Sequence, residues 1–69
     1  MLTPDVVYAH QDGVTYVAGF EDDWWRWPAE ANGWRSRVRC SESTADGAEE
    51  LPPALGRLAL RLSGVPTDD

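Results

Sequence analysis

The chain has 69 residues with one cysteine, one histidine and a net charge of −6. A chain of this size buries only about 60% of the surface that its unfolded form exposes, so its stability needs large core side chains or self-association. One cysteine excludes an internal disulfide, and one histidine with one cysteine excludes the usual zinc sites. The acidic balance disfavours non-specific binding to nucleic acid or to anionic membranes.

The first ten residues have no basic start and no long apolar run, so we expect no signal peptide. No stretch of the sequence approaches the roughly 18 apolar residues of a membrane span. We therefore expect a cytoplasmic protein made of a single domain over residues 1–69, with no cofactor, no metal and no membrane partner.

Two runs rich in valine and tyrosine flank Gln11-Asp12-Gly13 and predict a β-hairpin. Asp-Gly is typical of hairpin turns because glycine adopts a positive φ without a Cβ clash. Two registers are open: a two-residue turn pairs Gln11 with Val14, and a three-residue turn pairs His10 with Val14. We favour the second register because it gathers the bulky side chains on one face.

All four tryptophans follow this hairpin. Residues 24–27 predict a short strand that ends at Pro28, with Trp24 and Arg26 on one face and Trp25 and Trp27 on the other. We expect Trp27 to fill the core, because one tryptophan buries on the order of 200 Å². Trp24 is expected at a contact surface, or else shielded by an arginine that stacks on its indole.

Along residues 34–40, apolar or small side chains alternate with arginines. This alternation predicts a second strand with one face in the core. Trp34 and Cys40 share the apolar parity, so we expect both to be buried and the Cys40 thiol to be inert. The opposite parity places Arg35, Arg37 and Arg39 in a row, about 7 Å apart.

The period changes after the small polar residues 41–48, which predict a loop. Leucines at 51, 55, 58 and 62 form the stripe of an amphipathic helix, predicted over 49–64 with Gly64 as its cap, and residues 65–69 are expected to be a tail. The predicted fold is therefore α+β: a small antiparallel sheet of two successive hairpins, about four strands over residues 5–40, with one C-terminal amphipathic helix packed on one face through its leucines.

The candidate binding surface combines tryptophan and arginine, the commonest side chains at interface hot spots. Its residues are Trp24, Arg26, Arg35, Arg37 and Arg39. No nucleophile, base and orienting group can be assembled from the sequence, so we expect no enzymatic activity. We expect a small protein-binding or regulatory module, an adaptor or an inhibitor, that acts on a larger protein or as a homo-oligomer.

Two other interpretations of the arginine row remain open. It is either a solvated face with intramolecular ion pairs or a contact surface for phosphate groups of nucleic acid. In a further form of the nucleic-acid hypothesis, the acidic surface imitates nucleic acid, as a phage-type inhibitor would. We expect nucleic acid to be the less favoured partner, because the chain is acidic and residues 21–23 place three carboxylates next to the row.

Overall fold

A computed structural model describes residues 2–66 of the chain. The elements are β1 (Tyr8–Ala9), β2 (Thr15–Phe20), β3 (Asp23–Pro28), β4 (Val38–Cys40), β5 (Glu49–Glu50) and the helix α1 (Pro53–Leu62), with 3₁₀ helices at Gly33–Ser36 and Glu42–Ala45. The strands form one antiparallel sheet in the order β4-β3-β2-β1-β5. The α+β prediction is confirmed, with a fifth short strand in a segment that was predicted to be helical.

The first hairpin has a different register from the one favoured above. Tyr8 lies opposite Val17 and Ala9 opposite Tyr16, which is the register of the first alternative, with Gln11 opposite Val14, so the favoured pairing of His10 with Val14 is wrong by one residue. The reason lies in the loop, where the Asp12 carboxylate accepts the N–H of Val14 at 2.9 Å. This side-chain hydrogen bond keeps Val14 in the loop and delays the start of β2 by one residue.

The second hairpin turns more tightly than its sequence suggests. Phe20 pairs with Asp23, so only Glu21 and Asp22 form the turn. Both residues have positive φ, 53° and 68°, as a primed two-residue turn requires. Neither is the glycine or asparagine that this conformation favours, so the turn stores backbone strain.

The predicted strand over 34–40 is only partly formed. Residues 33–36 are a 3₁₀ helix, and β4 contains only the last three residues of the predicted strand. The cause is the turn before it: a Cβ on Gly33 would lie 2.0 Å from the carbonyl oxygen of Pro28, an approach that only glycine permits. From this turn the N–H of Trp34 donates to the carbonyl of Ser63 at 3.0 Å, which ties the segment to the end of α1.

The core lies between the sheet and α1 and is largely aromatic. Trp27 is buried and meets the ring of Trp34 edge to face, at a centroid distance of 5.0 Å. Phe20 meets the ring of Trp34 at the same distance, also edge to face. Trp27 is therefore buried as predicted, whereas Trp34, also predicted to be buried, is only partly buried and packs against this cluster. Val65, which the sequence assigned to the tail, is buried in the same cluster, and residues 67–69 of that tail lie outside the described residues.

The helix turns a different face to the sheet from the one predicted. Gly56 and Ala59 are buried, whereas Leu55, Leu58 and Leu62 are exposed by 52%, 47% and 63%. Small side chains at the contact let the helix approach closely, since a Cβ on Gly56 would already touch Val7 at 3.6 Å. The prediction that this leucine stripe packs on the sheet is wrong for these three residues.

The opposite face of the sheet has a small buried core of its own. Val17 and Tyr8 alternate with the residues that face α1, yet both are buried. Ala45, in the second 3₁₀ helix, is buried as well, and the N–H of Thr3 donates to the Tyr8 hydroxyl at 2.9 Å. The segment predicted as a loop over 41–48 thus contributes a buried residue on this side.

Candidate functional site

Two of the five predicted surface residues lie together as expected. Trp24 and Arg26 share the face of β3 that points away from α1, where they lie opposite Cys40 and Val38. Arg26 is exposed, and Val38 is exposed by 52%, but Trp24 is half-buried. The Trp24 side chain lies against Gly19, where an added Cβ would be 3.7 Å from the indole. This face offers an arginine and a valine to solvent, with only part of an indole.

The predicted row of three arginines is not formed. Arg35 lies in the 3₁₀ helix before β4, so strand alternation does not apply to it. Arg39 lies opposite Trp25 on the helix-covered side of the sheet, and its guanidinium binds the Asp23 carboxylate at 2.8 Å. The Arg39 side chain is 71% exposed and the Asp23 side chain 36% exposed, so solvent screens this ion pair and it contributes at most about 1 kcal/mol.

Arg37 has a third environment. Its guanidinium lies 4.8 Å from the ring centroid of Trp34 and 5.5 Å from that of Trp25. Its Nη1 also donates to the Trp34 carbonyl at 3.2 Å. Arg37 therefore covers the open edge of the aromatic cluster through cation–π contacts. The five predicted surface residues are divided between the two sides of the sheet.

Cys40 is not on the helix-covered side, as its apolar parity suggested. It shares the Trp24 face and is half-buried. Burial raises the pKa of the Cys40 thiol, and the charge of Arg26 and a hydrogen bond with the Thr44 hydroxyl lower that pKa only in part. The thiol is therefore less ionised at neutral pH than an ordinary one.

The most apolar exposed surface is on α1. We call Leu55, Leu58 and Leu62 the leucine face; all three leave about half or more of their surface in water. Their spacing of three and four residues places them on one side of the helix. Single exposed leucines are ordinary, but three in one stripe form a contiguous patch. Contiguous exposed apolar patches are typical of interaction sites.

The leucine face continues into a groove between α1 and the sheet. The groove has a volume of about 270 Å³ and is lined by Tyr16, Ala29, Ala31, Ala59, Leu62, Ser63 and Glu30. Val14 is exposed by 63%, and its carbonyl accepts the N–H of the groove residue Ala29 at 2.9 Å. Three of the five large exposed apolar side chains of the described residues thus lie on α1.

Charged groups border the leucine face unequally. Arg57 and Arg61 are the only ionisable side chains between residues 51 and 66, and both are exposed. At 100° per residue, they follow Leu58 around the helix on the side away from the groove. Glu30 lies beyond the groove, on its sheet side. The apolar surface therefore has Arg61 and Arg57 along one border and Glu30 along the other, and Arg57 shares a second cleft with the acids Asp5 and Glu50.

The sequence does contain a signal for this arrangement. Gly56, Ala59, Leu60 and Ser63 repeat at three, one and three residues, so a second stripe at helical spacing lies beside the leucines. Periodicity alone favours burial of the leucine stripe, because it is the more apolar of the two. It gives no weight to how closely a helix with small residues can approach an aromatic sheet.

Within residues 2–66, no group of three or more His, Cys, Asp or Glu side chains could hold a metal ion. The same part of the chain has no helix with the length and apolar character needed to span a membrane. Neither a protein-family model, nor a curated protein, nor a solved structure matches the chain.

Proposed function

We propose that the chain is a non-enzymatic protein-binding module, an adaptor or an inhibitor, whose contact surface is the leucine face of α1. The observation that carries the proposal is the exposure of three leucines on one side of one helix. Amphipathic helices bind protein grooves or other helices through side chains at this spacing. The groove beside Leu62 adds a concave surface into which an apolar side chain of the partner can fit.

The energetic argument compares this surface with the core. Burying a whole leucine side chain is worth about 1.5–3 kcal/mol, and each leucine of the face still has about half of its surface in water. A partner that covers all three therefore gains about 3 kcal/mol from them. This gain in free energy is realised only on association.

The Trp24 and Arg26 face is the second surface. Arg26 and Val38 are exposed there, but the half-burial of Trp24 removes much of the area that an indole hot spot would supply. The nucleic-acid alternative in its phosphate-binding form depended on a row of three arginines, which the structure divides among different environments. Its acidic-mimic form stays a prediction; it rests on the acids that line a cleft of about 350 Å³ beside Trp24.

The proposal is tested with neutral substitutions that leave the net charge at −6. Leu58→Gln with Leu62→Gln removes the apolar surface, and glutamine is nearly as good a helix former as leucine. Val38→Thr is the matched control, because Val38 is equally exposed and lies on the rival face. Each tagged variant is used to capture partners from an extract of the source organism, and bound proteins are identified by mass spectrometry.

We expect the wild type and Val38→Thr to capture the same protein, and the double glutamine variant to lose it while its circular dichroism stays native. Capture that only the Val38 change abolishes would assign the function to the Trp24 and Arg26 face. Capture of nucleic acid with a steep loss on added salt would favour the alternative, because phosphate contacts release counterions.

A further inference from the structure

We propose that the leucine face binds the same face of a second copy of this chain, forming a two-fold symmetric dimer. The inference deepens the proposed function and rests on it, since it names the occupant of that surface. Self-association is also one of the few routes by which a chain of 69 residues without disulfides can bury more apolar surface.

The unequal charge borders argue for a second copy. Arg61 lies along one border of the apolar surface and Glu30 along the other. Arg57, on the same border as Arg61, shares a cleft with Asp5 and Glu50, so the charge difference between the borders rests on Arg61 and Glu30. A two-fold axis parallel to α1 turns the second copy over, so that each border meets the opposite border of its partner. Arg61 of each chain then faces Glu30 of the other, while leucines meet leucines at the centre.

The other symmetric arrangement is unfavourable. A two-fold axis across α1 makes the two helices antiparallel and places each border against the same border of the partner. Arg57 and Arg61 would then face arginines, and like charges in contact oppose association. The charge pattern therefore selects the parallel arrangement of the two helices.

The dimer is expected to be weak. A ten-residue helix is about 15 Å long, so the leucine face with the groove forms an interface at or below the roughly 1,000 Å² of a stable complex. Each copy also carries a net charge of −6, which repels the other. We expect association at micromolar to millimolar concentrations.

The experiment is sedimentation equilibrium on the full chain over a dilution series. The wild type should approach twice its chain mass of 7.7 kDa, the variant with Leu58→Gln and Leu62→Gln should stay monomeric, and Val38→Thr should behave as the wild type does. Arg61→Glu alone and Glu30→Arg alone should each weaken the dimer about tenfold, because each places like charges across the axis.

Mixing the two charge variants gives the sharpest result. Their heterodimer restores both opposite-charge pairs, so an equimolar mixture should dimerise about as well as the wild type. The Glu30→Arg chain has a net charge of −4 instead of −6, so net repulsion alone predicts that it dimerises better. Weaker dimerisation of this variant, rescued by the mixture, therefore identifies the specific contact.

A wild type that stays monomeric at millimolar concentration overturns the inference, and so does a dimer that is insensitive to the glutamine changes. A mixture that fails to rescue the charge variants overturns the parallel arrangement. If the chain is monomeric but captures another protein through the leucine face, self-association fails and the proposed function stands. If the chain is monomeric and capture ignores the leucine changes, both fail.

Discussion

The reciprocal substitutions Leu58→Ala and Ala59→Leu decide which side of α1 belongs to the core. Adjacent residues point about 100° apart on a helix, so one change acts on the exposed leucine face and the other acts against the sheet. Leu58 is exposed by 47% and Ala59 by 6%. A change from leucine to alanine usually destabilises a helix packed on a core more than a change from alanine to leucine. At this pair the structure predicts the reverse: Ala59→Leu should lower the free energy of unfolding more than Leu58→Ala.

The magnitudes follow from burial. Removing three carbon atoms from a fully buried leucine forfeits about 0.8 kcal/mol for each, and about half of Leu58 is in water, so we expect a loss of about 1 kcal/mol. Alanine's slightly better helix propensity recovers a few tenths of this. At Ala59 the added carbon atoms enter the contact between α1 and the sheet, where only small side chains fit. Overpacking of this kind costs about 1–3 kcal/mol.

Urea denaturation followed by tryptophan fluorescence measures both free energies of unfolding. The protein is diluted to a concentration at which sedimentation shows monomer, so that loss of a dimer does not add to the Leu58 value. A loss of 2–5 kcal/mol for Leu58→Ala, the range for a core leucine, together with a neutral Ala59→Leu, would refute our assignment of the buried face.

Three further predictions concern the backbone and the thiol. Gly56→Ala should raise the free energy of unfolding by up to about 1 kcal/mol, because its Cβ would meet Val7 at an ordinary 3.6 Å; a lower thermal midpoint would show that the helix is already at its closest approach. Glu21→Asn with Asp22→Gly should relieve the two positive-φ residues of the turn and stabilise the fold by about 1 kcal/mol, or about 4–8 °C in the thermal midpoint; no gain would mean that the turn is unstrained. Because burial raises the pKa of the Cys40 thiol, the pH midpoint of its alkylation should be higher in the native protein than in denaturant. The unfolded thiol ionises at a lower pH than the folded one, so this contribution to stability is complete below the unfolded pKa and is lost as the pH rises through the folded pKa; equal midpoints in the two states would exclude the shift.

The sequence predicted those parts of the fold that depend on local chemistry. The Asp-Gly turn, the alternation around Trp27 and the change to helical spacing near Leu51 were sufficient for the α+β class. Residues 34–40 were misread because alternation describes which way side chains point only if the backbone is extended. The close approach of Gly33 to Pro28 determines the path of that backbone, and it is a tertiary contact that no sequence window contains.

The predicted row of three arginines was wrong for a related reason. Alternation placed three arginines in a row, but Arg37 stacks on Trp34 and Trp25, and Arg39 pairs with Asp23. Each guanidinium thus has a partner within its own chain that depends on the positions of other elements. The pairing of Trp24 and Arg26 on one face was predictable because both lie in one continuous strand.

The tryptophans and the exposed leucines have one physical explanation. Trp27 and Trp34 meet edge to face beneath α1 and occupy the space that helix side chains would otherwise fill. A helix that lies over such a layer can approach it only through small residues, and Gly56 and Ala59 supply them. The large side chains that stabilise the small core therefore come from the sheet side. The leucines of α1 lie on the part of the helix that does not contact the sheet. Because the aromatic side chains fill the core, the core does not need the leucine face. That face is therefore free to associate with another surface.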